Sequence, residues 1–344
     1  MSDLPDLASR ALGGGAVWAN DEFFAAADNL VNPEPPGFRP RTFGPKGQVY
    51  DGWETRRRRE PGHDDAVLRL GVPGLVRAVV VDTAHFTGNY PPEASVDGCC
   101  LDGYPGPDDL ARARWFPLVP RSPLGGDARN EFSVNCPSRV THVRLRIYPD
   151  GGVARLRVHG EALPDPDLLP EVLDLASVEH GGRVVGCSDM FYGSPGNLLL
   201  PGPARSMGEG WETRRRRDDA NDWVEVRLAG PGVVELAELD TGHFKGNAPG
   251  RAALRGLVAG AGGTAGTGGA GYRAEWRVLL PEVALRPDTR HRFRVPAGPA
   301  VTRVRLDVYP DGGMARLRLL GRFTPEGLAD LTARWRAATA SANG

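Results

Sequence analysis

Gly52-Trp53-Glu54-Thr55-Arg56-Arg57-Arg58-Arg59 returns unchanged as Gly210-Trp211-Glu212-Thr213-Arg214-Arg215-Arg216-Arg217, at an offset of 158 residues. A Trp, a Glu and four consecutive Arg do not recur together by accident, and an internal period fixes the architecture before any local reading does. Outward from this motif, Asp82-Thr83-Ala84-His85-Phe86-Thr87-Gly88-Asn89 matches Asp240-Thr241-Gly242-His243-Phe244-Lys245-Gly246-Asn247 at the same offset. Tyr148 through Arg157 matches Tyr309 through Arg318 at an offset of 161, with only Val153 against Met314 differing. Upstream, Asp6-Leu7-Ala8-Ser9 and Asn29-Leu30 match Asp174-Leu175-Ala176-Ser177 and Asn197-Leu198 at 168. The first copy therefore holds ten extra residues between Leu30 and Gly52, read as a loop insertion in the Pro/Gly-rich stretch from Asn32 to Gly47. The chain is a tandem duplication, with domains expected at residues 1–163 and 164–344 and a boundary between Leu163 and Glu171.

Each copy reads as β. Ala66–Leu70 and Val76–Val81 are β-branched runs separated by Gly71, Pro73 and Gly74, expected as two short strands. Val143–Ile147 and Ala154–Val158 alternate apolar and basic residues, the period of a half-buried strand. Pro149-Asp150-Gly151-Gly152 between them has turn chemistry, which predicts a hairpin. Short strands joined by Gly/Pro turns predict an all-β protein with an antiparallel sandwich in each copy. A helix is expected at the C-terminal end, with Thr324 as N-cap, Pro325 at the first position, and Leu328, Leu331 and Trp335 on one face. Gly256 to Gly271 lacks the Lys-Ser/Thr and strand–helix context of a phosphate loop and reads as a flexible surface loop.

Lys and Arg number 42 against 43 Asp and Glu, a net charge of −1, which argues against nucleic-acid or membrane partners attracted by overall charge. The opening residues lack the basic and apolar regions of a signal peptide, and no apolar run approaches the roughly 18 residues of a membrane span. Cys99, Cys100, Cys136 and Cys187 contain no Cys-x-x-Cys spacing, so a reduced, cytoplasmic protein is expected.

The candidate chemistry lies in the two repeated motifs. An extended Trp-Glu-Thr-Arg segment places Glu54, Arg56 and Arg58 on one face and Arg57 and Arg59 on the other. A guanidinium fork matches a carboxylate bidentately; the structural alternative is a solvated basic strand neutralised by Glu54. In Asp82-x-x-His85 and Asp240-x-x-His243, an apolar strand ends in polar groups at a loop, a usual place for a site. His titrates near neutrality and Asp can orient it, which suits proton transfer. The structural alternative is a turn, with Asp82 and Thr83 bonding backbone. No cofactor is called for. A divalent metal is another use of an Asp–His pair, but two candidate ligands do not define a site. Arg144, Arg146, Arg155 and Arg157 are expected to set like charges across adjacent strands, on a solvated face salt-bridged to loops or to a subunit neighbour.

Together, Asp51-Gly52-Trp53-Glu54-Thr55-Arg56-Arg57-Arg58, Asp82-Thr83 with Phe86-Thr87-Gly88-Asn89-Tyr90-Pro91-Pro92, Asp240-Thr241 with His243-Phe244-Lys245-Gly246-Asn247, and the two Tyr-Pro-Asp-Gly-Gly stretches resemble the allantoicase family. The resemblance runs from about Asp6 to Gly321. It implies two tandem jelly-roll sandwiches of the galactose-binding-domain type. It also implies hydrolysis of a C–N bond of allantoate, a small anionic ureide, to give ureidoglycolate and urea in purine breakdown. The expected proton carriers are His243, Asp240 and Glu212, with counterparts His85, Asp82 and Glu54, and the second-repeat strand end is expected to do the proton chemistry. Arg56, Arg57, Arg214 and Arg215 are the expected carboxylate contacts; Asn89, Asn247, Lys245 and Thr87 complete the substrate set. A homo-oligomer is expected. Two rival classes are a tandem carbohydrate-binding module, which would show exposed aromatic platforms, and a nucleic-acid binder using the arginine runs.

Overall fold

One 19-residue strand organises each repeat, Asp64–Asp82 in the first and Asp222–Asp240 in the second. In the computed structural model, which describes residues 4–259 and 275–343, the first half of Asp64–Asp82 pairs with Gly15–Ala19 and Arg139–Tyr148. Its second half pairs with Arg155–Ala162 and Arg129–Ser133. The second repeat places Arg183–Cys187 and Val301–Tyr309, then Arg316–Phe323 and Arg290–Arg294, in the same order along Asp222–Asp240. All these pairings are antiparallel, and the long strand passes from one layer of the sandwich to the other. The fold is thus two antiparallel jelly rolls. Two compact units divide the chain, Met1–Leu163 with Trp335–Gly344, and Pro164–Arg334.

The two short strands expected around Gly71 are one continuous strand. The ladder to Arg139–Tyr148 jumps from Arg69 to Gly74, so Pro73, which has no N–H to give, falls where no partner is needed. Gly71 is needed for close approach, since a Cβ there would lie 2.4 Å from the Leu12 carbonyl oxygen. The expected hairpin is absent as well. Arg139–Tyr148 and Arg155–Ala162 flank successive halves of the long strand, and Gly152–Val153 between them pairs with Trp53–Glu54. The Pro-Asp-Gly residues therefore carry the chain between layers. The four arginines consequently do not face one another: Arg144 and Arg146 meet Asp97 at 2.9 and 3.1 Å, and Arg155 is buried.

The repeated motif is anchored by its Trp. Trp53 and Trp211 are fully buried, and their indole N–H groups donate to the carbonyls of Asp21 and Asp189, each at 2.8 Å. That anchoring places Glu54 and Glu212, the next residues on each strand. Phe86 and Phe244 are buried beneath Gly152 and Gly313. The C-terminal helix spans Pro325–Asn343, and Thr324 Oγ1 accepts the Gly327 N–H at 3.0 Å, as an N-cap should. Its buried side is formed by Leu331, Ala338 and Ala342, whereas Leu328, expected on one face with Leu331 and Trp335, is exposed. A six-residue helix, Pro107–Arg112, is an element the sequence pattern does not announce. Of the low-complexity stretch, Gly256–Val258 ends the strand Arg251–Val258, and residues 260–271 lie outside the described residues. Among the described residues no helix is long and apolar enough to cross a membrane, and no two cysteines form a disulfide.

The Phe244–Gly313 contact tests the packing. A Cβ at Gly313 would lie 1.9 Å from Phe244 Cε1, so Gly313→Ala should overpack the core and cost about 1–3 kcal/mol. Denaturant unfolding should show the loss; unchanged stability would mean that the ring is not held there.

Candidate active site

In the second repeat the long strand ends at Asp240, whose Oδ1 accepts the Gly242 N–H at 2.8 Å and so closes a tight turn. Thr241 donates its hydroxyl to the Arg286 carbonyl at 2.6 Å. His243 follows with φ +70°, in the left-handed region that non-glycine residues occupy only at a cost. What holds it there is Asp288, itself at φ +49°, whose Oδ1 accepts the His243 backbone N–H at 2.7 Å. The first repeat builds the same pair from His85 and Asp127, with φ +70° and +47° and the same 2.7 Å bond.

The imidazole orientation follows from a single contact. His243 Nε2 lies 2.9 Å from the Ala204 carbonyl, and His85 Nε2 lies 3.2 Å from that of Pro36. A carbonyl can only accept, so Nε2 carries a proton, and in the neutral form of the ring the lone pair is on Nδ1. The loop that supplies this carbonyl is held by a buried arginine. Arg316 donates from Nε to Gly202 O at 3.0 Å and from Nη1 to Glu209 O and Ala315 O, each at 2.7 Å. Arg155 does the same in the first repeat with Glu34 O and Asp51 O at 3.1 Å and Ala154 O at 2.8 Å. Burial, with neighbouring Arg318 adding to it, pulls the Arg316 guanidinium below the ordinary arginine value.

Between this loop and the strand end lies a pocket of about 430 Å³, lined by Ala204, Asp240, His243, Asp288 and Arg290 among others. Arg290 Nε lies 3.4 Å from Glu238 Oε1 and 3.6 Å from Asp240 Oδ2, and the side chain makes no hydrogen bond among the described residues. A planar cation held by ion-pair contacts but by no hydrogen bond therefore faces the same cavity as His243, Asp240 and Asp288.

The structure brings His243 and Asp240 into one pocket. Asp240 does not orient the ring, because its carboxylate is engaged with Gly242, and Ala204 and Asp288 hold His243 instead. Glu212 Oε1 accepts the Asn247 amide at 2.6 Å and Glu54 Oε1 that of Asn89 at 2.7 Å, so each pair meets, but Glu212 and Asn247 do not line the pocket. Arg56 pairs with Asp21 at 2.6 Å and Arg214 with Asp189 at 3.0 Å. Arg57 and Arg215 are exposed, form no ion pair among the described residues, and do not line the pocket. Lys245 stands 3.9 Å from Asp288 Oδ2, and Thr87 is exposed. Sequence reasoning missed Asp288, Arg290 and the Ala204 carbonyl. The available signal was Asp127-x-Arg129 against Asp288-x-Arg290 at the 161 offset, too short to stand out. Among the described residues no group of three or more His, Cys, Asp or Glu side chains is arranged to hold a metal ion.

Burial, opposed by the Asn89 hydrogen bond, raises the Glu54 carboxyl above its ordinary value. The folded chain then binds this proton more tightly than the unfolded chain. Glu54 therefore lowers stability progressively as pH rises from the unfolded carboxylate value, about pH 4, through the raised folded one. Glu54→Gln keeps an acceptor for Asn89. Its stability gain over wild type should be absent below about pH 4, grow as pH rises and then level off. A pH series of denaturant midpoints for the two chains checks this, and a gain independent of pH would contradict it.

Allantoicase repeats match residues 5–163 and 173–324 of this chain. A probable allantoicase of Nocardia farcinica is 58% identical over 94% of this chain and 95% of its own length. A probable allantoicase of Streptomyces coelicolor is 47% identical over 97% and 90% respectively. The crystal structure of allantoicase from Saccharomyces cerevisiae aligns with a TM-score of 0.78 at 33% identity, over 92% of each chain. With both repeats matched and close relatives spanning nearly its whole length, the chain belongs to the allantoicase family.

Proposed function

We propose that this protein hydrolyses allantoate to ureidoglycolate and urea, and that the reaction takes place in the second-repeat pocket beside His243. The observation that carries the site is the meeting, in one cavity, of His243, of Arg290, which makes ion-pair contacts but no hydrogen bond among the described residues, and of two carboxylates whose Oδ2 atoms make only long ion-pair contacts, Asp240 to Arg290 at 3.6 Å and Asp288 to Lys245 at 3.9 Å. Family membership carries the substrate.

The chemistry of allantoate matches these groups one to one. Its carboxylate fits the guanidinium fork of Arg290 bidentately, which a lysine could not reproduce. Its ureido N–H groups are donors for the Oδ2 atoms of Asp240 and Asp288, whose Oδ1 atoms are already committed to backbone. Water adds at the carbon bearing the ureido groups as one C–N bond breaks. The proton that the water sheds passes to His243 Nδ1 and from there to the ureido nitrogen, which leaves as neutral urea. Glu212 and Asn247 act in this account as a pair that positions the adjoining loop, since Asn247 also contacts Met207 Sδ at 3.4 Å. We also propose a cytoplasmic homo-oligomer: the cysteines form no disulfide among the described residues, which suits a reducing compartment, and the exposed Phe23–Phe24 and Phe191–Tyr192 pairs offer apolar surface to a second copy. A tandem carbohydrate-binding module, the rival reading of the same fold, has nothing in the family match to favour it.

His243→Asn suits the test, because Asn tolerates positive φ better than Ala does. Urea release from allantoate should fall by roughly 10²–10⁴-fold with thermal unfolding unchanged. A folded, fully active His243→Asn chain would place the proton carrier elsewhere. Arg290→Met should raise KM about tenfold or more, as losing hydrogen bonds to a charged group costs about 1.5–3 kcal/mol. Arg290→Lys should recover only part of that loss, and wild-type KM in both would remove Arg290 from the substrate's carboxylate.

A further inference from the structure

The two repeats close the same loop in the same way but put different things inside it. In the second repeat the Glu209 carboxylate accepts the Arg205 N–H at 2.7 Å, and in the first the Asp51 carboxylate accepts the Gly37 N–H at 2.8 Å. Both loops also deliver carbonyls to the buried arginine, Glu209 O to Arg316 and Asp51 O to Arg155. Between these fixed ends the second repeat has only residues 205–208, whereas the first has 37–50. The ten extra residues are thus located by hydrogen bonding between Pro36 and Asp51.

The insertion turns back over the first-repeat histidine. Phe38 stacks on the His85 ring at 5.4 Å between centroids and 18° between planes, and Tyr50 stacks on Phe86 at 4.8 Å. Phe38 and Tyr50 also stack on each other at 5.8 Å, so both ends of the insertion lie over the strand end. Asp51 secures them: its Oδ2 takes the Gly37 N–H and the Arg155 guanidinium at 2.7 Å. Burial alone would raise this carboxyl, but those two hydrogen bonds outweigh it and hold Asp51 below the ordinary value, so the tie stays charged at working pH. The consequence is visible in exposure: His85 is half-buried and His243 is exposed. No aromatic ring stacks on His243 among the described residues. Yet Asp82, His85, Asp127 and Arg129 of the first repeat stand where Asp240, His243, Asp288 and Arg290 stand in the second.

We infer that the first repeat retains a counterpart of the substrate pocket and fills it with its own chain. Phe38 lies where the second repeat leaves room for ligand, so each chain holds one working site and one self-closed site. This rests on the reading of the second-repeat pocket as the allantoate site.

Counting binding sites tests it. Allantoate is titrated at equilibrium into the full chain carrying His243→Asn, which keeps the substrate from being consumed. One site per chain is expected. Phe38→Ala in the same background should raise the count to two, and so should replacing residues 37–50 by residues 205–208. Phe38 is 41% exposed, so its truncation leaves a folded chain even where the larger replacement does not. Two sites before any opening would overturn the inference, as would one site in an opened chain that melts like its parent. Failure of the underlying reading shows itself separately, as undiminished urea release by His243→Asn before the loop is touched.

Discussion

A buried guanidinium must have its N–H groups satisfied, because a desolvated charge without partners costs several kcal/mol. Arg316 and Arg155 meet that demand with main-chain carbonyls, and this requirement fixes the rest of the site. The carbonyls belong to the loops 202–209 and 34–51, so each arginine pins a segment with little regular structure of its own. From the pinned loop comes the carbonyl that receives Nε2–H of His243, and with it the tautomer that leaves Nδ1 available. The strained backbone of His243 is tolerated because Asp288 takes its N–H. Each step is a hydrogen-bond obligation passed to the next group.

Duplication explains how such a frame can carry two contents. Both repeats place a long strand, a buried Trp followed by Glu, and a loop tied by one carboxylate and one arginine. A tie of this kind tolerates extra chain between its ends, since lengthening a surface loop costs little entropy. The first repeat has used that tolerance to lay an aromatic ring over its histidine, while the second keeps a short loop and an open cavity.

Much of this was legible in sequence, for physical reasons. Repeats and period-two alternation reported two β-sandwiches, and Thr324-Pro325 reported the start of the helix. Alternation says that a segment is a strand but not which strand it pairs with, so the Val143–Ile147 and Ala154–Val158 runs suggested a hairpin that the fold does not contain. Gly71 and Pro73 usually punctuate; here they sit where the ladder changes partners and the strand continues. Asp240 and His243 were visible because they end an apolar strand. Asp288, Arg290 and Ala204 reach the pocket from distant segments, and a backbone carbonyl leaves no trace in residue identity. The motif arginines drew attention as a charge run, yet Arg56, Arg58, Arg214 and Arg216 are spent on neighbouring carboxylates.

The central claim is that chemistry belongs to the second-repeat pocket. Crystals of the His243→Asn chain soaked in allantoate test it most directly. The account predicts ligand density in the cavity between Arg290 and residue 243, the carboxylate on the guanidinium, and Phe38 in place over His85 in the same molecule. Ordered allantoate at the exposed Arg57 or Arg215, or against the Glu212–Asn247 pair with the cavity empty, would contradict it.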